Sequence, residues 1–243
     1  MRICVINPNT TASMTALIET SARAVARPDA EIVAVTSATG PAAIESHYDE
    51  ALAVPGLLRA IETNPGMDGY LVACFGDPGV HAAREIATAP VLGIAEAAMS
   101  IAAPLGRGFS IVTTLSRTVG HASDLVHHHG FGRRCRGIHA CDIGVLELES
   151  NPVTVDILIK AADAALAADG SDAIVLGCAG MADLAGEIGA RIGAPVIDGV
   201  AAGVGMLTTM AAMGLSTGTA SGEFAPPSPQ PYCGALSDFG ISS

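Results

Sequence analysis

Two cysteines stand at matching points of two similar phrases: Cys74 in GYLVACFG (residues 69–76) and Cys178 in AIVLGCAG (residues 173–180). Each follows a short apolar run and precedes small residues, the pattern of a thiol at the carboxyl end of a buried strand, on the turn into a helix. Backbone N–H groups and the positive end of a helix dipole converge at such a point, so the thiol is expected to lose its proton easily. A thiolate is a base and a thiol is an acid. One of each on opposite walls of a cleft can take a proton from one face of a carbon acid and return a proton to the other. Packing explains a single buried cysteine. It gives no reason for Cys rather than Ala or Val at both equivalent points. Cys4, Cys135, Cys141 and Cys233 have no such partner and read as structural.

The elements that must hold these thiols follow from the apolar pattern. Runs of about five residues alternate with longer amphipathic stretches, as in βα units that feed a parallel sheet. Strands are expected near Ile3–Ile6, Ile32–Val35, Tyr70–Ala73, Val91–Gly93, Phe109–Thr113, Arg136–Ala140, Ala173–Gly177 and Val196–Ile197. The first helix, behind Pro-Asn-Thr-Thr, places Met14, Leu17, Ile18, Ala22 and Val25 on one face. Asp77 and Pro78 read as the N-cap and first-turn proline of the helix after Cys74. The cysteines are 104 positions apart, APV recurs 105 positions on, at Ala89 and Ala194, and CVINPNT aligns with SIVTTLS at an offset of 106. Three landmarks in order at nearly one offset indicate a duplicated half.

The expected fold is therefore α/β: two similar parallel-sheet lobes related by a pseudo-twofold axis, with the active site in the cleft between them. Residues 1–98 plus 199–215 would form the first lobe and 99–198 the second, with an irregular Gly-, Pro- and Ser-rich tail over 216–243.

The phrases INPNTT, GPAAIES, ACFGDPG, PVLGIAEAA, VLGCAGM and PVIDGVAAGV resemble the Asp/Glu/hydantoin racemase superfamily, and within it the hydantoin and allantoin racemase branch, through residues 1–215. The resemblance implies a cofactor-independent racemase with Cys74 and Cys178 as acid and base. In a 5-substituted hydantoin or allantoin the negative charge moves from C5 onto the C4 carbonyl, where N–H groups around Phe75, Gly76, Ala179 and Gly180 are expected to receive it. Asn7 and its repeat counterparts Thr113 and Thr114 read either as ring-binding groups or as helix caps, and the resemblance favours the site. The segment around Pro41, Ile44 and Glu45 is either a cover that faces the C5 substituent or a plain surface loop. Amino-acid racemases of this fold resemble a pattern with a Thr-His pair after the second cysteine. Ala179, Gly180 and Met181 stand here instead, which points to an uncharged ring. A decarboxylase of the same fold needs only one thiol, and a non-catalytic binder needs neither.

The remaining chemistry is narrowed by composition. A net charge of −12 argues against a nucleic-acid partner, and Arg133, Arg134 and Arg136 read as a solvated turn. The single lysine, Lys160, lies in a helical pattern, so a pyridoxal phosphate mechanism is poorly served. No cofactor is expected. Consecutive His127, His128 and His129 point in different directions, so no metal is expected either. The start lacks a secretory signal pattern and no run approaches a membrane span, so a cytoplasmic protein, a small cyclic ureide partner and a symmetric homo-oligomer are the expectations.

Overall fold

The structure, a computed structural model, describes residues 1–220 and 222–239. Part of the expected tail therefore lies outside the described residues. The eight strands are short, apolar and mostly buried on both faces, as parallel strands covered by helices must be. They form two four-stranded parallel sheets. One has β1 (Arg2–Asn7), β2 (Glu31–Thr36), β3 (Gly69–Val72) and β4 (Val91–Gly93) in the order β2-β1-β3-β4. The other has β5 (Phe109–Thr113), β6 (Cys135–Ala140), β7 (Ala173–Gly177) and β8 (Val196–Ile197) in the order β6-β5-β7-β8. The second order repeats the first strand for strand, so the sequence repeat is a structural duplication. No helix among the described residues is long and apolar enough to cross a membrane.

Among the described residues eight α-helices connect and cover the sheets: α1 (Ala12–Val25), α2 (His47–Thr63), α3 (Val80–Ile86) and α4 (Ile94–Ala102), then α5 (Val119–His128), α6 (Thr154–Asp169), α7 (Ala185–Ile192) and α8 (Gly199–Ala212). In α1 the inward face is Met14, Thr15, Ile18, Ser21 and Ala22. Val25, expected on that face, is exposed instead, because the helix ends there and the chain turns away to β2.

The equivalent helices α4 and α8 pack on one another, and each also reaches the opposite sheet, α4 against β7 and α8 against β3. The small-residue vocabulary serves this crossing. Ala95, Ala97 and Ala98 are fully buried, and a Cβ added at Gly199 would lie 2.7 Å from the Ile94 carbonyl oxygen. Both helices begin on a carboxylate. Asp198 caps α8 in place, accepting from the Val200 and Ala201 N–H groups, and Ser21 of α1 donates to it. Asp77 caps α4 from a distance, accepting from the Ala95 and Glu96 N–H groups, both at 3.0 Å.

The contact at Gly199 is backbone against backbone, so it cannot relax by a rotamer change. Gly199→Ala should cost about 1–3 kcal/mol, seen in urea unfolding as a lower midpoint with an unchanged slope. Wild-type stability in this variant would show that α4 and α8 are not held at this separation.

Candidate active site

The two cysteines leave their sheets in the same way. After β3, the Ala73 N–H extends the ladder to the Ile6 carbonyl at 2.8 Å, and the Cys74 carbonyl accepts from the Asp77 N–H at 3.0 Å. After β7, the Cys178 carbonyl accepts from the Met181 N–H at 3.1 Å. A turn closed three residues on thus follows each thiol. Inside each turn a glycine N–H lies beside the sulfur and favours its thiolate, Gly76 for Cys74 and Gly180 for Cys178.

Here the structure bears on three expectations. Asp77 does not cap the helix that follows Cys74. That helix, α3, starts only at Val80 behind a left-handed Gly79 at φ 68°, and Asp77, itself at φ 46°, turns its carboxylate to α4 instead. Second, the N–H groups of Gly76 and Gly180 lie beside the sulfurs, where they favour the thiolates. Those of Phe75 and Ala179 make no hydrogen bond among the described residues and remain for a ligand. Third, neither thiol is eased toward ionisation. Both cysteines are partly buried, and desolvation outweighs the single glycine N–H, raising Cys74 and pushing Cys178 up to about 11. Burial likewise raises the Asp77 carboxyl to about 7 despite its two backbone donors.

Cys74 and Cys178 line one cavity of about 110 Å³ between the two sheets' carboxyl ends. Among the residues expected at the site, Ile44, Phe75, Gly76, Thr113, Thr114 and Ala179 line it too. Gly180 is set behind Cys178, against Leu148. Pro41 does not line the cavity; its carbonyl accepts from the Thr10 N–H and hydroxyl and so ties the 40s segment to the end of β1. Asn7 is also absent from the lining. It is fully buried, its amide donating to Asn9 Oδ1 at 2.8 Å and Thr15 Oγ1 at 3.0 Å.

Asn9, two residues on, takes the place expected of Asn7. Its Oδ1 accepts from the Asn7 side chain and from the Thr11 N–H, which fixes the amide, while its Nδ2 finds only the Met14 thioether at 3.2 Å. Sulfur is a weak acceptor, so a fixed donor faces the cavity with spare capacity. The segment before α2 does cover the cavity. Ser46 and Asp49 cap α2 reciprocally, and Glu45 Oε1 crosses to the second half to accept from the Val145 N–H at 2.7 Å. His47, Glu50, Arg117 and His121 complete the polar part of the lining. The sequence offered no local signal for these, since α2 and α5 meet only in the folded chain. Asn9 could have been found within INPNT by asking which asparagine follows the strand rather than ends it.

The family model for Asp/Glu/Hydantoin racemase matches residues 3–207. A hydantoin racemase from Pseudomonas sp. (strain NS671) is 43% identical over 99% of this chain and 97% of its own length. One from Rhizobium meliloti is 46% identical over 89% and 91%. Among solved structures, an allantoin racemase from Klebsiella pneumoniae superposes with a TM-score of 0.95 at 46% identity, covering 99% of both chains. With its duplicated α/β halves and a matching level of sequence identity along the whole chain, the protein belongs to the Asp/Glu/hydantoin racemase family of cofactor-independent isomerases.

Proposed function

We propose that this chain racemises 5-substituted hydantoins at C5 with Cys74 and Cys178 as the two acid–base groups. The observation that carries the reading is the pairing of the thiols. Each follows the third strand of its own sheet, each has a glycine N–H beside its sulfur, and both line the same cavity. Halves related by a twofold present their thiols to a bound ring from opposite sides. One thiolate removes the C5 proton, charge shifts onto the C4 oxygen, and the opposite thiol delivers its proton to the other face of the planar carbanion. The product is the other enantiomer, and the two thiols have exchanged protonation states. The Phe75 and Ala179 N–H groups and the fixed Asn9 amide are the donors available to the developing oxyanion.

Allantoin is the second reading within the same chemistry. The similar protein from Klebsiella pneumoniae is an allantoin racemase, and Arg117 at the lining supplies donors suited to a ureido carbonyl. The two substrates differ only in the C5 group. A decarboxylase is less well supported, because it leaves the second thiol without a task.

Polarimetry on enantiopure 5-alkylhydantoins, 5-arylhydantoins and allantoin tests the reading directly. Rotation should decay to zero well above the spontaneous rate, and the preferred C5 group names the substrate. No acceleration on any cyclic ureide, or release of carbon dioxide from a malonate without racemisation, would overturn it. The pH profile is a separate check. A raised thiol pKa leaves the thiolate scarce at neutral pH and increasingly populated as pH rises toward about 11. The ratio kcat/KM should therefore climb roughly tenfold per unit between pH 7 and 9. A profile flat over that range would contradict thiol acid–base chemistry.

A further inference from the structure

Three side chains from two distant stretches of the chain meet in the cavity lining. His47 and Glu50 lie one turn apart on α2, and His121 comes from α5 in the other half. His47 Nδ1 is 3.5 Å from Glu50 Oε2, and His121 Nε2 is 3.1 Å from Glu50 Oε1. One donor atom from each residue lies within 4.8 Å of the other two, and the imidazoles meet edge to face with centroids 5.2 Å apart. Ligands held at about 2.0–2.1 Å around a tetrahedral ion are themselves about 3.3 Å apart, so the separation of His121 from Glu50 Oε1 suits a shared ion, while His47 faces the other carboxylate oxygen. The third contact needs only a movement of His47, whose side chain is 78% exposed.

Two imidazoles and one carboxylate form the donor set of zinc and of neighbouring late first-row ions, not of the oxygen-seeking calcium or magnesium. The geometry points to a divalent transition-metal site at His47, Glu50 and His121 that binds zinc and, in doing so, excludes substrate. All three residues line the cavity. His121 Nε2 also stands 3.2 Å from the carbonyl of Gly76, in the turn that carries Cys74. An ion there pins α2 to α5 across the opening and occupies the way in to the thiols. Its bound form is an inhibited state, which leaves the metal no part in the reaction. The binding clause stands on these three residues alone, while the inhibition clause rests on the racemase reading given above.

Cobalt(II) titration of the intact protein, followed by visible absorption, separates the site from the thiols. Tetrahedral d–d bands should grow without a thiolate-to-cobalt charge-transfer band, and the Cys74→Ser, Cys178→Ser double variant should bind cobalt as the wild type does. His47→Ala and Glu50→Gln should each weaken binding at least tenfold. In the racemisation assay zinc should raise the apparent KM and leave kcat unchanged. Absence of the bands, a charge-transfer band lost with the cysteines, or unaltered affinity in both the His47→Ala and Glu50→Gln variants would overturn the site. Tight cobalt binding with kcat lowered and KM constant would overturn the exclusion of substrate. A protein inactive on every ureide would still answer the cobalt titration, so failure of the racemase reading is told apart from failure of the metal site.

Discussion

Ionising a thiol away from water is costly, and each thiol at this site has one glycine N–H and little else to offset that cost. The geometry of the turn after each strand therefore matters more than any other local feature. In both halves the chain leaves the third strand, closes a three-residue turn on the cysteine carbonyl, and brings a glycine amide back to the sulfur. Duplication supplies this arrangement twice, and the repeated strand order turns the two copies toward one cavity. The wall donors Phe75 and Ala179 come from the same two turns, so the thiols and the candidate oxyanion donors are positioned together.

What keeps the halves in register is the crossing of α4 and α8. Small residues set its distance, and the buried carboxylates of Asp77 and Asp198 set where each helix begins. Asp77 has a second consequence. It stands three residues after Cys74 and caps a helix that packs on the opposite sheet, so the turn carrying one thiol is fastened to the interface between the halves. Burial raises its carboxyl even though the two amides it caps pull the other way. Glu45, reaching the Val145 N–H, fastens the cover of the cavity to the second half.

The fold was legible because its information is local. Buried parallel strands are short apolar runs between turn residues, and all eight expected strands fall where the pattern puts them, with ends differing by at most one residue. The repeat offset then supplied the pairing of the halves. What was not legible depends on partners distant in the chain. Asp77-Pro78 imitates an N-cap for the next helix, yet the N–H groups it serves are 18 and 19 residues away. Asn7 and Asn9 are equivalent as residue types, and only the buried network with Thr15 sends one inward and the other to the cavity. Thiol ionisation is hidden from the sequence for a related reason. A strand end suggests helpful N–H groups, but desolvation is a property of the packed interior. The meeting of α2 with α5 has no trace in either segment.

The central claim is that Cys74 and Cys178 act on opposite faces of C5, and hydrogen exchange in D2O by the single variants tests it most directly. With Cys74→Ser or Cys178→Ser, on this account the remaining thiolate removes the C5 proton from its own face and returns a solvent deuteron there. NMR of the C5 proton, corrected for spontaneous exchange, should show each variant exchanging one enantiomer with retention, and the two variants choosing opposite enantiomers. If both variants exchanged the same enantiomer, or either racemised at the wild-type rate, the opposed two-thiol account would be wrong.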